Sequence, residues 1–176
     1  VGQTDIWAMA AYLGHFYNHK GNLKDHLKAE NDVTVVPLLD EAVTERILLK
    51  TAMMPDAATM AAFDTLEIEL DINCTYQNPF ACSEWDRIAH LQYCLNEDCS
   101  ERREIARWIT QYWRRGRRHW IIDASPFLGF LRSGGEHGFR IEMGPGWERK
   151  TERLARFNLR LSTRGTPKAI GSTRIY

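Results

Sequence analysis

The sequence has 176 residues, 44% of them hydrophobic, and its 23 basic side chains balance 23 acidic ones. A chain of this length fits one domain with a full core, and its zero net charge predicts no general attraction to nucleic acid. No run approaches the roughly 18 apolar residues that a membrane-spanning helix needs, so no membrane span is predicted.

Residues 4–30 are rich in Ala, Leu and Met, and Trp7, Phe16 and Tyr17 favour one side of a helix. This pattern predicts a helical N-terminal extension over residues 1–32. His15 and His19 are four residues apart, which is metal-ligand spacing on a helix. Two histidines on the wet face of an amphipathic helix explain the pattern better, so we predict neither a metal nor a cofactor.

From Val33 onward the pattern is that of β-strands. Residues 63–74 alternate between apolar and acidic side chains, which is typical of a strand with one buried face. Pro37 interrupts the run 33–39 and favours an edge strand, whereas residues 44–54 fit either a strand or a short helix. Further strands are predicted at 84–95, 103–113, 139–143 and 153–165, and at 119–131 with a helical turn after Ser125-Pro126. Many short strands indicate an antiparallel β-sandwich, all-β, followed by a tail over residues 171–176.

Four cysteines form two close pairs in sequence, Cys74 with Cys82 and Cys94 with Cys99. Turn-forming residues lie between the members of each pair, which suits disulfides that pin a loop and the end of a hairpin. One zinc site with four thiolates is the alternative, although the spacing exceeds that of most zinc ligand pairs. The disulfide interpretation places the protein in an oxidising compartment, secreted, periplasmic or extracellular.

Two sequence motifs carry a family resemblance, CSEWDRIAHL at 82–91 and ARWITQYW at 106–113. Together they resemble the first domain of the peptide-N-glycosidase F family. Further matches follow in the same order, at Cys74, at Ile122-Asp123 before Phe127, at Trp147 and at Gly165-Thr166-Pro167. The resemblance covers roughly residues 63–170. With residues 33–62 as its opening strands, it implies a jelly-roll domain over residues 33–170.

The resemblance implies an eight-stranded antiparallel jelly roll, the first of two, with an active site in the cleft between them. It also implies a hydrolase that cleaves the amide between an N-glycan and its asparagine, with Asp86 as the general base. Trp85 and Trp147 would stack on sugar rings, and Arg87 would shape the site. Tyr112 and Trp113 fit either a sugar platform or the core, and alternation along the strand places Trp108 on the face of Tyr112. The expected partner is a glycoprotein or glycan.

Two departures from the family pattern leave activity open. The position of a second catalytic glutamate falls on Pro145, and Glu142 is the nearest carboxylate, on the opposite face of a regular strand. A further acidic partner belongs to the family's second jelly roll, so a second domain or a partner chain is expected. The alternative is a non-catalytic module for glycan binding or for assembly with partner chains. The arginine-rich segment from Arg102 to Arg118 is either an anion-binding surface or a solvated rim.

Overall fold

The computed structural model describes residues 32–44, 46–74, 83, 85–112, 116–144, 153–165 and 167. The predicted helical extension lies outside these ranges apart from its last residue, and the predicted tail lies outside them entirely. Eight strands are described: β1 (Thr34–Thr44), β2 (Ile47–Asp56), β3 (Thr65–Cys74), β4 (Ile88–Cys94), β5 (Arg102–Ile109), β6 (Gly116–Asp123), β7 (Gly134–Glu142) and β8 (Arg153–Ser162). A short helix, α1 (Ala57–Met60), follows β2, and a 3-10 helix (Ser125–Leu131) follows β6.

The strands form two antiparallel four-stranded sheets that pack as a sandwich. The first sheet has the order β1-β8-β3-β6 and the second has the order β2-β7-β4-β5. Every consecutive pair of strands except β4 and β5 crosses from one sheet to the other, which is the connectivity of a jelly roll. The predicted all-β, antiparallel eight-stranded jelly roll is therefore confirmed.

The core lies between the sheets and follows the alternation of β3. Leu66, Ile68 and Leu70 on the inner face of β3 are fully buried. Across the sandwich, Trp108 of β5 packs against Phe157 of β8 with ring centroids 5.6 Å apart. Burial of each large apolar side chain stabilises the fold by about 1.5–3 kcal/mol, so this inner layer supplies most of the driving force for folding.

Several local predictions are confirmed by the strand order. Pro37 lies on β1, an edge strand of the first sheet, and the β1–β8 register shifts directly after it. A proline has no N–H to donate, so an edge position avoids a lost ladder bond. Residues 47–56 are a strand rather than a helix, and Ser125 begins the predicted helical turn.

Two predicted strands are shorter than the sequence indicates. The strand predicted at 84–95 begins at Ile88, and the strand predicted at 103–113 ends at Ile109. Ser83 has a positive φ of 61°, a turn conformation that interrupts extended chain before β4. The prediction that Trp108 and Tyr112 share a face is wrong, because Trp108 is 1% exposed and Tyr112, beyond the strand, is 47% exposed.

The predicted disulfide between Cys94 and Cys99 is confirmed, and it closes the turn between β4 and β5. Cys74 is also disulfide-bonded. Its partner lies outside the described residues, as does Cys82, so the pairing of Cys74 with Cys82 stays a prediction. A zinc site with four thiolates is wrong, because a sulfur held in a disulfide is not a thiolate ligand.

His137 lies in a small aromatic cluster near that disulfide. Its side chain is 8% exposed, and Nδ1 lies 2.9 Å from the hydroxyl oxygen of Tyr93. Tyr93 stacks on Phe130 with centroids 5.1 Å apart and also meets the edge of Phe139. Burial lowers the pKa of His137, and a hydrogen bond with the Gly134 backbone offsets part of that shift.

The lowered pKa of His137 predicts a pH-dependent stability. The folded state keeps the imidazole neutral below its ordinary pKa of 6.5, so the unfolded chain binds more protons as the pH falls through that value. The contribution to the unfolding free energy is therefore complete above pH 6.5 and declines below it. Urea unfolding at about pH 7.5 and about pH 5.5 should show this decline in the wild type and a smaller one in His137→Gln. An unchanged pH dependence in the variant would contradict it.

Among the residues that the structure describes, no helix is both long enough and apolar enough to cross a membrane.

Candidate functional site

One end of the sandwich gathers the segments that carry the predicted site residues. We call it the loop end, and it is where β3 and β5 finish and where β4 and β6 start. At this end Cys74 of β3 pairs with Gly116 of β6, and Ile88 of β4 pairs with Ile109 of β5. The segment before β4, with Trp85 to Arg87, and the segment after β5, with Tyr112, therefore leave the sandwich at the same end.

Contacts between the sheets tie the loop end together. Within the second sheet, the Met143 N–H donates to the Arg46 carbonyl oxygen at 2.8 Å, which extends the pairing of β7 with β2 by one residue. Arg153 at the start of β8 donates from Nη1 to the Met143 carbonyl oxygen at 3.3 Å. On the other side, Cys74 at the end of β3 lies against the side chain of Gln111, which follows β5. The two sheets thus share a fixed base from which the connecting segments project.

Asp86 lies on a short exposed segment that is anchored by its neighbour. The Arg87 N–H donates to Oγ1 of Thr110 at 3.1 Å, and the Thr110 N–H donates to the Arg87 carbonyl oxygen at 2.8 Å. On the other side of Asp86, the Trp85 N–H donates to Oγ of Ser83 at 3.2 Å. Asp86 is exposed, Trp85 is 61% exposed and Arg87 is partly buried. The backbone is held while the carboxylate faces solvent.

Tyr112 approaches the same segment from β5. The hydrogen-bonded pairing of Arg87 with Thr110 extends the antiparallel order of β4 and β5 by one residue. The positions before Arg87 therefore run alongside the positions after Thr110, which brings Trp85 and Tyr112 onto neighbouring segments. Both rings are largely exposed, as the walls of a carbohydrate site must be.

The structure does not bring every predicted residue into this site. Trp113, Trp147 and Pro145 lie outside the described residues. Glu142 is the last residue of β7 and lies opposite His90 in the outer face of the second sheet. Its carboxylate lies 2.5 Å from Nη1 of Arg140 on the same strand, so it serves an ion pair on the sheet surface. Because Pro145 lies outside the described residues, the expectation that Glu142 lies on the opposite face from that position stays a prediction.

Two anchoring residues were missed by the sequence reasoning. Thr110 is 2% exposed and holds the Asp86 segment through both its backbone and its hydroxyl group. The side-chain oxygen of Ser83 accepts a hydrogen bond from the Trp85 N–H. Serine favours local turns that are closed by such a bond. The Ser83–Trp85 spacing is a readable signal, whereas Thr110 belongs to a partner strand more than twenty residues away and has no local signal.

The chemistry available at the loop end is that of an exposed carboxylate, Asp86, whose neighbours in the sequence carry an aromatic ring and a guanidinium group. Such a carboxylate can take a proton from water, and the guanidinium group can donate hydrogen bonds to developing negative charge. Among the described residues, no group of His, Cys, Asp and Glu side chains is arranged to hold a metal ion. His15 and His19 lie outside those residues.

Comparison with solved structures identifies the same fold in PNGase F and in PNGF-II. A structure titled peptide: N-glycanase F (PNGase F) aligns with a TM-score of 0.54 over 76% of this chain and 43% of its own, at 22% identity. PNGase F from Flavobacterium meningosepticum, titled a glycosylasparaginase, aligns with the same TM-score at 20% identity. PNGF-II aligns with a TM-score of 0.56 over 84% of this chain and 37% of its own, at 10% identity.

These likenesses establish that the chain has a PNGase F-like fold. The chain spans less than half the length of the solved chains it matches. No family model matches the sequence, and no curated protein sequence matches it. The fold agrees with the family resemblance carried by the Trp85-Asp86-Arg87 motif.

Proposed function

We propose that this chain is the Asp86-bearing jelly roll of a secreted or periplasmic amidase that releases N-glycans from asparagine. The observation that carries the proposal is the position of Asp86, exposed on a segment that Thr110 holds at the loop end. The PNGase F-like fold and the Trp85-Asp86-Arg87 motif support it. The Cys94–Cys99 disulfide is consistent with an oxidising compartment.

In the proposed reaction, Asp86 acts as a general base. Its carboxylate takes a proton from a water molecule, whose oxygen attacks the carbonyl carbon of the asparagine side chain. The Arg87 guanidinium donates to the oxyanion of the tetrahedral intermediate. The carbon–nitrogen bond then breaks, the proton passes to the leaving nitrogen, and the products are an aspartate and a glycosylamine. Trp85 and Tyr112 offer ring faces to the sugar, and we assign Trp113 and Trp147 to the same wall.

A second acidic group is expected from outside this roll. Glu142 is engaged by Arg140 on the outer face of the second sheet, so it does not complete the site. We therefore propose that a second jelly-roll domain or a partner chain supplies the missing acid against the loop end. The glycoprotein substrate would then bind between the two.

The test is glycan release from a denatured N-glycoprotein in water enriched in heavy oxygen. The proposal predicts free glycan together with an aspartate that carries the heavy oxygen at the former glycosylation site, both read by mass spectrometry. Release by cleavage of a sugar–sugar bond would leave the asparagine intact, which would contradict the amidase assignment. If the isolated chain releases nothing, the assay is repeated with the second domain or partner chain that the proposal requires, and no release there would contradict it.

A non-catalytic role is the second candidate, as a glycan-binding module or as a structural module assembled with partner chains. Pro145 at the expected glutamate position favours it. Binding is tested by the tryptophan fluorescence of the folded chain on titration with an N-glycopeptide, beside a Trp85→Phe variant. Saturable binding of the glycopeptide, with no glycan released even when the proposed second domain or partner chain is present, would favour this role over the amidase.

A further inference from the structure

The side of the sandwich formed by β5 and β6 is lined with arginine. β5 is an edge strand of the second sheet and β6 is an edge strand of the first. β1 packs against β2 on the opposite side, so the free edges of β5 and β6 share one side of the sandwich. We call this side the arginine edge, and its exposed members are Arg102, Arg103, Arg107, Arg117 and Arg118.

Among the residues that the structure describes, Arg107 and Arg117 have acidic partners and the other three have none. Nε of Arg107 lies 2.6 Å from Oε1 of Glu104, and Nε of Arg117 lies 2.5 Å from Oδ1 of Asp71. In contrast, the other three donate to neutral backbone carbonyl oxygens: Arg102 to Cys99 and Ser100, Arg103 to Arg102, and Arg118 to Arg117. The arginine edge therefore keeps local positive charge although the whole chain has none.

The pairing of β5 with β4 and of β6 with β3 places Arg103 and Arg118 on the faces that the two sheets turn toward each other. Arg103 pairs with Tyr93, whose ring packs against the buried Phe139, and Arg118 pairs with the buried Ile72. Both arginines thus occupy inner-face positions, yet both are exposed. They must extend sideways from the sandwich, and they lie on both strands that border its open side. Inward-facing charges on edge strands also discourage edge-to-edge pairing, which is the structural alternative.

The surroundings of the arginine edge favour a polysaccharide over other polyanions. A membrane surface or a nucleic acid strand calls for exposed apolar or aromatic side chains among the basic groups. In the described part of the chain, no exposed large apolar side chain lies on β5 or β6, although Leu95 and Tyr112 lie just beyond the two ends of β5. The disulfides indicate an oxidising compartment, where nucleic acid is not the usual ligand. The planar forks of arginine match the oxygens of a sulfate group.

We propose that the arginine edge binds sulfated polysaccharide chains through Arg103 and Arg118, with Arg102 as an additional contact. This inference is independent of the amidase proposal, since it involves no reaction and does not use Asp86. Bound along the two strand edges, a sulfated chain would run from Arg103 at the start of β5 to Arg118, near the loop end where β6 starts. The arginine edge would then localise the protein on an acidic matrix.

The experiment measures the affinity of the full chain for heparin and for the same polymer after chemical desulfation, by titration calorimetry at low and high salt. The test variant is Arg103→Ser with Arg118→Ser. The matched control, Lys50→Ser with Arg156→Ser, removes equal charge from β2 and β8. Both variants are first checked for cooperative thermal unfolding.

We expect heparin to bind the wild type and the control, and to bind the test variant about tenfold more weakly. Desulfation and high salt should each abolish binding, because the contacts are charge-assisted. Equal weakening in both variants, or no binding to heparin by the folded wild type, would overturn the proposal. Equally tight binding to duplex DNA or to anionic lipid vesicles would also overturn it, since the surface would then not select a sulfated polysaccharide.

Discussion

Replacing Asp86 by Asn is expected to lower the rate of glycan release by about 10²–10⁴-fold, the range for loss of a general base. Asparagine keeps the size and hydrogen-bonding shape of the side chain but cannot take a proton from water at neutral pH. Because the side chain is exposed and its segment is held through the Arg87 and Thr110 backbones, the substitution should leave the fold intact. The rate is measured by release of glycan from a fluorescent glycopeptide, with the proposed second domain or partner chain present.

The control for this variant is Asp40→Asn, which neutralises a carboxylate that is 82% exposed on β1. Its rate should equal that of the wild type within a factor of about two, since a surface charge far from the loop end contributes little. A Trp85→Phe variant should raise KM more than it lowers kcat, because it retains a ring face for the sugar. Full activity in Asp86→Asn would remove Asp86 from the mechanism.

Replacing Asp64 by Ala is expected to lower the free energy of unfolding by about 3–5 kcal/mol. Asp64 is 2% exposed, and Oδ1 accepts hydrogen bonds from the hydroxyl group of Thr65 and from the Arg164 N–H, each at 2.8 Å. Oδ2 accepts from the Gly165 N–H at 2.7 Å. The carboxylate therefore fastens the start of β3 to the chain after β8, and its loss leaves these donors without their acceptor. Urea unfolding followed by circular dichroism gives the value.

The matched control is Asp40→Ala, whose carboxylate lies 3.2 Å from Nε of Arg156 on the surface. An exposed ion pair contributes about 0–1 kcal/mol, so this variant should unfold almost as the wild type does. A loss in Asp64→Ala no greater than that in Asp40→Ala would show that the buried hydrogen bonds do not hold the two segments together.

Features that depend on local pattern could be predicted from the sequence. The strict alternation after Leu66 specifies which face of β3 is buried, because side chains of a strand alternate between its two faces. Pro37 indicates an edge because it lacks an N–H, and the turn-forming residues between Cys94 and Cys99 permit the observed disulfide. Each of these signals lies within a few residues of the feature it predicts.

The polar side of the same strand could not be predicted, because its environment comes from distant parts of the chain. Asp64 and Glu67 belong to the acidic half of the alternation, yet they are 2% and 4% exposed. Glu67 accepts from Nη2 of Arg164 at 3.0 Å and lies 3.7 Å from Nε of Arg160. Hydrogen bonds from His119 and Asn158, together with the charge of Arg160, lower the pKa of Glu69 to about 2. Only the pairing of β3 with β6 and β8 brings these partners together.

The candidate site, too, could be predicted only in its local features. The motif Trp85-Asp86-Arg87 could be identified from its sequence, but alternation placed it inside a strand. The structure places it before β4 instead, since Ser83 turns the chain and Thr110 of a neighbouring segment pairs with Arg87. Strand ends are decided by such tertiary contacts rather than by propensity, so the exposure of Asp86 and Tyr112 follows from the fold.

The most direct measurement of the central claim is to map where an N-glycopeptide binds. Isotope-labelled Asp86→Asn protein, which should bind without turnover, is titrated while the backbone amide resonances are followed by nuclear magnetic resonance. The account predicts that the largest shifts fall on Trp85 to Ile88 and on Thr110 to Tyr112, at the loop end. Shifts confined to the opposite end, at the Cys94–Cys99 turn, or none at saturating glycopeptide, would contradict it.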